Sequence, residues 1–428
     1  MKMLAFAVGV VAGCLWAEDW PGAGIYTASD PSAFVNAEDA SIPFVMGEGI
    51  LNWTGGDATV ARDLAFWAPQ YRANAFKVVD PDATLTLAGK ITQTNGCFVK
   101  TGPGTLSLTY PGYQQLGKGP QNASTLSRDV MWDEETGACT NGGFSHFTID
   151  QGRLVTGAPG QTNYVNGMVF IGNRTQAHAV LDVTNGVFSQ SGNWFCIARG
   201  TGQTSNDARA EVFVRKGARL EVQQLNVGYN NGMGSPCPRA SLVVDGGTAT
   251  VPYQIFTLEN GNGEAHVVVT NGGTFISSNA GGTSAGWQMK NASGGTSYID
   301  VVAASTAKAR YVGAHKNTFL NVAGKSTFVL DRMMPSHVNA ESGTAAFDDS
   351  TLGSYLTGIA PLWFYGFGRE NFKVGQNGMT FDVGERTDAA LYPPVCTNVS
   401  VVRANAPLKK TGSCNGGRAF GPLQGQCW

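Results

Sequence analysis

The chain contains five histidines, His146, His178, His266, His315 and His337. No two sit at the i, i+4 spacing by which a helix offers two imidazoles to one zinc ion. Each is therefore expected at the surface or satisfied internally. Carboxylates could work in pairs as general acid and base, or could hold Ca²⁺ beside a Lys or Arg. In a repetitive chain such a pair would recur at one position of the repeat. Counted back from the glycine that ends each repeat, Asp150 lies at −2, Asp182 at −4 and Asp245 at −1, while Arg215 and Thr270 occupy −2 in two other copies. No acidic column forms in that register, which argues against a groove enzyme unless its site is built from irregular loops. Asp133-Glu134-Glu135 and Asp348-Asp349 remain. Both read as solvated loop charge, with a Ca²⁺ site as the alternative. There is no G-x-S-x-G elbow, phosphate loop or dinucleotide fingerprint. No metal, cofactor or catalytic residue is assigned.

Aromatic side chains offer a second chemistry, the stacking of sugar rings. The densest patch is Pro361-Leu362-Trp363-Phe364-Tyr365-Gly366-Phe367-Gly368. Trp363, Phe364 and Tyr365 read either as an exposed sugar platform or as an inward rung or cap of a repeat stack. Trp132 lies in a long insertion from Gly119 to Gly143. Insertions in repeat proteins collect on one face, often the binding face, so Trp132 carries the same two readings.

The elements that must position these residues repeat. A strand and tight turn recur as Phe147 to Gly152, Leu181 to Gly186, Val212 to Gly217, Leu242 to Gly246, Val267 to Gly272 and Phe319 to Gly324. The turn glycines are 34, 31, 29, 26 and 52 residues apart, and the last interval places one degenerate turn near residue 298. Each period holds a second corner, as in Phe170-Ile171-Gly172, Cys196-Ile197-Ala198, Asn226-Val227-Gly228 and Tyr311-Val312-Gly313. Three short strands per period, without sustained helical periodicity, predict a parallel β-helix, because stacked coils bury a core that none could bury alone. The competing reading is a β-sandwich with hairpins at the Asn-Gly turns. Composition agrees with either: 57 of 428 residues are Gly and 14 % are charged, about twice the usual Gly and half the usual charge. A disordered chain or coiled coil is excluded.

Two stretches carry a more specific pattern. Phe98-Val99-Lys100-Thr101-Gly102-Pro103-Gly104-Thr105-Leu106-Ser107-Leu108 resembles the core of the autotransporter-associated β-strand repeat, and Leu408-Lys409-Lys410-Thr411-Gly412-Ser413 begins the same pattern before departing at Cys414. Gly378 to Val383 resembles the strand that leads into it, and the resemblance extends over most of residues 83 to 412. It implies an all-β, right-handed parallel β-helix of pectin-lyase-like architecture, exported as the passenger of a bacterial surface protein and often serving as adhesin or stalk. Such a passenger is followed by a membrane barrel of alternating ~10-residue strands. Gly416 to Trp428 are Gly-rich and irregular instead, so the barrel is absent or the chain is a truncated product.

Export agrees with the start of the chain, where Lys2 precedes the apolar stretch Met3 to Val11, too short to span a bilayer. Cleavage after Ala17 competes with a lipobox at Val11-Ala12-Gly13-Cys14, which would put a lipid on Cys14. The expected plan is a signal at 1–17, first coils at 18–120, a regular solenoid at 121–335 and a less regular end at 336–428. The net charge of −2 and the lack of a basic stripe argue against nucleic acid and an anionic membrane surface. No later stretch is long enough for a transmembrane helix. Beyond the signal, seven widely spaced cysteines read as a mixture of buried thiols and one or two disulfides. The expected function is a secreted or surface-bound adhesive β-helix with glycans or surface proteins as partners. The alternatives are a polysaccharide lyase or hydrolase and a glycan-binding module without turnover.

Overall fold

The computed structural model describes residues 24–34, 42–68, 73–118, 131–132, 139–140, 146–172, 178–192, 194–200, 209–230, 239–259, 263–277, 286–289, 295–309, 312–314, 317–330, 343–354, 364–365, 367–382, 403–404 and 408–411. The signal segment, Cys14, Trp363 and the acidic run 133–135 lie outside these residues. The chain is a parallel β-helix. Three parallel sheets of 12, 13 and 14 strands run its length, and successive strands of the chain visit the first, second and third sheet in turn. One coil, for example, is Met168–Ile171, His178–Val183 and Gly186–Gln190. The next is Phe195–Gly200, Arg209–Val214 and Ala218–Glu221. The sandwich reading is thereby excluded, because neighbours in every long sheet pair in parallel and no hairpin joins them.

The registers explain why these residues form these strands. In the second sheet Leu106, Leu154, Leu181, Val212, Leu242, Val267, Ile299 and Leu320 stack as one column, all buried. The third sheet stacks Phe188, Leu220, Ala249, Phe275, Ala307, Phe328 and Leu352. Alternating large and small side chains fill the interior without strain. In the first sheet Phe98 lies 5.2 Å from Phe147 with the rings 10° from parallel. Each fully buried aliphatic or aromatic side chain contributes about 1.5–3 kcal/mol, and stacking makes that burial continuous along the axis.

Two of the three corners use left-handed backbone. Gly172, Ala198, Gly228 and Leu258 all have positive φ; Gly172 follows its first-sheet strand, and the other three lie within the first-sheet strands of the next coils, Phe195–Gly200, Leu225–Asn230 and Ile255–Glu259. Gly186, Gly217, Gly246, Gly272 and Gly324 have positive φ at the corner between second and third sheets, and Gly152 has positive φ between the first and second. Gly152 is thus not equivalent to the other five, and the 34-residue interval joins two different corners. The turn sought near residue 298 lies at Ala303-Ala304, both in the left-handed region. Its glycine is missing but its shape is kept. A real irregularity follows: Val312–Gly313 pairs directly with Phe364–Tyr365 in the first sheet, while the other two sheets each insert a strand between their neighbours.

The Lys100-Thr101-Gly102 motif is structural. Lys100 falls in the inward column of the first sheet, paired with Phe76 and Ile149, and is fully buried. Its Nζ donates to the carbonyls of Thr101 (2.8 Å), Gly102 (2.8 Å) and Gln151 (3.0 Å). Those bonds tie one coil's corner to the next coil. Gly152 must lack a side chain there, because a Cβ would sit 2.3 Å from Gly102 O and 2.5 Å from Gly104 O. Burial pulls the Lys100 ammonium from 10.5 down to about 7. Cys97 and Cys196 are buried as thiols; Cys139 lies in a two-residue strand, and Cys14, Cys237, Cys396, Cys414 and Cys427 lie outside the described residues.

Two predictions follow from this corner. The folded pKa of Lys100 is below the unfolded one, so the unfolded chain binds more protons between pH 7 and 10.5, and stability should rise with pH across that window. Lys100→Met removes that slope and the Nζ hydrogen bonds to the corner carbonyls. Its deficit in urea unfolding should be about 3 kcal/mol near pH 9.5 and smaller near pH 7. Gly152→Ala should abolish soluble folding, whereas Gly272→Ala, also at positive φ but with open space around its Cβ, should cost only about 1 kcal/mol in the same assay.

Candidate functional site

The outward side chains of the second sheet form columns, one residue per coil. The first is Gln151, His178, Arg209, Arg239, Glu264 and Thr296. The second, two residues along each strand, is Arg153, Val180, Glu211, Ser241, His266, Tyr298 and Phe319. A cleft of about 650 Å³ opens over these two columns, from Pro103 and Gly152 at one end to Glu264 and His266 at the other. It lies at the edge where chain enters the second sheet. The connections that arrive there, at 173–177, 201–208, 231–238 and 260–262, differ in length and lie outside the described residues.

Beyond the cleft the second column becomes an aromatic ladder. His266 and Tyr298 stack with centroids 4.5 Å apart at 13°, and Tyr298 and Phe319 at 5.2 Å and 15°. Rings stacked face to face cover each other's faces and turn their edges to water. Open ring faces are left only at the ends of the ladder. One belongs to His266, on the side of the cleft and Ser241.

A third outward column carries Val155, Asp182, Phe213, Val243 and Val268. Around it runs an ion ladder. Asp182, with its side chain only 1 % exposed, accepts from Arg153 and from Arg215 Nε at 3.1 Å. Arg215 also donates to Asp245 at 3.1 Å and lies 4.3 Å over the Phe213 ring. The Asn271 amide, 2.7 Å from Asp245, and the Arg215 guanidinium hold that carboxyl below its usual range. Arg153 is thus engaged. Arg209 and Arg239 are different: they are partners on adjacent coils, both exposed, and make no ion pair among the described residues.

No family model, curated protein or solved structure matches this chain. The geometry of the cleft therefore carries the functional argument.

Of the aromatic residues singled out from the sequence, Trp363 lies outside the described residues. Phe364 and Tyr365 form the last strand of the first sheet. Trp132 pairs with Cys139 in a two-stranded antiparallel ribbon separate from the three long sheets. The structure does not bring these to the cleft strands. Asp348 does not stand as free loop charge: it accepts from the Asn377 amide nitrogen and side chain, at 2.7 and 2.9 Å, and ties two coils together. Among the described residues no cluster of three His, Cys, Asp or Glu could hold a metal ion. No helix of the described residues is long and apolar enough to cross a membrane.

The cleft was missed because the copies were aligned on turn glycines. Aligned on their core columns, Arg209-Ala210-Glu211-Val212 and Arg239-Ala240-Ser241-Leu242 fall together, and so do His266, Tyr298 and Phe319.

The ion ladder makes an asymmetric prediction. Replacing Arg153 and Arg215 together by Met strands the buried Asp182 carboxylate, whereas Asp182→Ala releases two partly exposed guanidiniums to water. The double Arg variant should therefore be the less stable in urea unfolding, by about 2 kcal/mol or more.

Proposed function

We propose that the chain is the exported passenger of a bacterial surface protein, a rigid β-helix whose outer second-sheet face is an adhesive surface for glycans or proteins. The observation that supports this reading is the concentration of features at one corner. The cleft and two arginines that form no ion pair among the described residues lie where chain enters the second sheet, and the sequence varies in length just before that point in successive coils. Loops held on a rigid scaffold are where binding residues collect. The rod keeps its columns in register because every coil is bonded to two neighbours. The leader-like residues 1–17 and the repeat resemblance at Lys100-Thr101-Gly102 favour export.

The lyase or hydrolase reading is weaker. Glu211 is flanked in its column by Val180 and Ser241, and Glu264 by Arg239 and Thr296. Neither faces a second carboxylate on an adjacent coil, which acid/base pairs or a Ca²⁺ site would need.

Expression of the full chain in a Gram-negative host should place it in the medium or on protease-accessible cell surface, shortened by its leader, and cells or beads bearing it should adhere to a glycan- or protein-coated surface. Retention in the cytoplasm with residues 1–17 intact would reject the export reading. Release of unsaturated sugars from a polysaccharide panel would replace adhesion by turnover.

A further inference from the structure

We infer that the second-sheet cleft is a binding site for a carboxylate-bearing sugar, with the carboxylate clamped between Arg209 and Arg239. The inference rests on the reading of this face as a binding surface and names what it binds.

The arginines carry the argument. They are direct partners on adjacent coils of a parallel sheet, where backbones are ~4.8 Å apart. Like charges directly opposite each other destabilise a sheet. Elsewhere on this face the charge is compensated: Arg153 and Arg215 hold Asp182, and Arg215 also holds Asp245. Arg209 and Arg239 lack such a carboxylate among the described residues, though Glu264 is the next residue in their column. Glu264 and Glu211 stand near them but form no ion pair with them among the described residues, so both guanidiniums keep donors for an anion placed between them. A planar carboxylate suits two guanidiniums, each able to bind it through paired N–H donors.

The rest of the cleft narrows the ligand. Glu211 and Glu264 line it beside the arginines, so a densely charged polyanion such as nucleic acid or a highly sulfated chain would be repelled. A ligand with one carboxylate and many hydroxyls meets no such conflict. Its hydroxyls can donate to the two Glu carboxylates, and Ser241 can donate or accept. At the far end, the ring face of His266 that Tyr298 does not cover offers an apolar wall for the C–H face of a sugar. The volume of about 650 Å³ lies within the range of ligand pockets and admits a short oligosaccharide. Binding is a matter of charge and hydrogen bonding, and no covalent step is involved.

The test is calorimetric titration of the full chain with three kinds of oligosaccharide: uronate-terminated, sialate-terminated, and the carboxyl-reduced form of each. Binding of at least one carboxylated form is expected, and the arm that binds identifies the source of the carboxylate. Carboxyl reduction, Arg209→Gln and Arg239→Gln should each weaken that binding by about tenfold or more, the effect of losing a charge-assisted pair. Each Arg variant should melt at or above the wild-type temperature, because like-charge repulsion is removed; this separates loss of a contact from loss of fold. Equal binding of the reduced form, full binding by both variants, absence of binding by every carboxylated form, or tighter binding of a heparin-like polyanion would overturn the clamp. If the clamp fails while wild-type protein still adheres to coated surfaces, the adhesive reading stands and its ligand lies elsewhere. Cleavage of a bound oligosaccharide would keep the clamp and overturn adhesion without turnover.

Discussion

Every coil of this protein hydrogen-bonds to the coil before and the coil after it, at a fixed separation of ~4.8 Å and in register. That constraint governs the rest of the structure. A side chain at a given position of a coil must rest on its counterparts above and below, so each position is chosen against itself. Inward columns become aliphatic or aromatic ladders, such as Leu106 through Leu320 and Phe98 on Phe147. Outward columns become ion ladders, such as Arg153–Asp182–Arg215–Asp245. The low charge content of the chain has the same cause, since a charge in a stacked column needs an opposite charge beside it.

The corners obey the same rule with backbone in place of side chains. At two of the three corners, successive coils turn where a residue takes a left-handed conformation at matching places. Gly does this without strain, but the structure also uses Ala198, Leu258 and the pair Ala303-Ala304. Stacking outweighs local preference at these points, at a cost of about 1 kcal/mol each. Lys100 shows a polar version: a lysine sits in an apolar column with its Nζ bonded to three carbonyls of two coils, and burial eases the loss of its proton. The Lys100-Thr101-Gly102 motif is the chemistry of one corner.

Against this background the pair Arg209–Arg239 stands out: two like charges are direct partners, and neither forms an ion pair among the described residues although Glu264 follows in the column. Violations of a local rule gather at functional sites, where a ligand supplies what the chain lacks. The cleft over those arginines was not legible beforehand. Its residues are about thirty apart, in copies of unequal length, and become neighbours only when the register is known. Trp132 and the Trp363-Phe364-Tyr365 patch drew notice as local concentrations of aromatic residues, yet Phe364 and Tyr365 fall in the first sheet and not at the cleft. The ladder His266–Tyr298–Phe319 has no local concentration at all, with intervals of 32 and 21 residues.

Glycine spacing and runs of three short strands favoured a parallel β-helix over a β-sandwich, because backbone hydrogen bonding and core burial act through patterns visible within one repeat; the parallel pairing of the strands decided between them. Six left-handed glycine positions were legible for the same reason: a turn's conformational demand is local. The tertiary structure alone decided which coil position rests on which, that Gly152 turns a different corner, that the Lys100 ammonium points inward, and that two arginines share one cleft. Insertions of variable length hide the phase between copies. Phase is set by the sum of packing and hydrogen bonding over all coils together, which no single stretch of sequence contains.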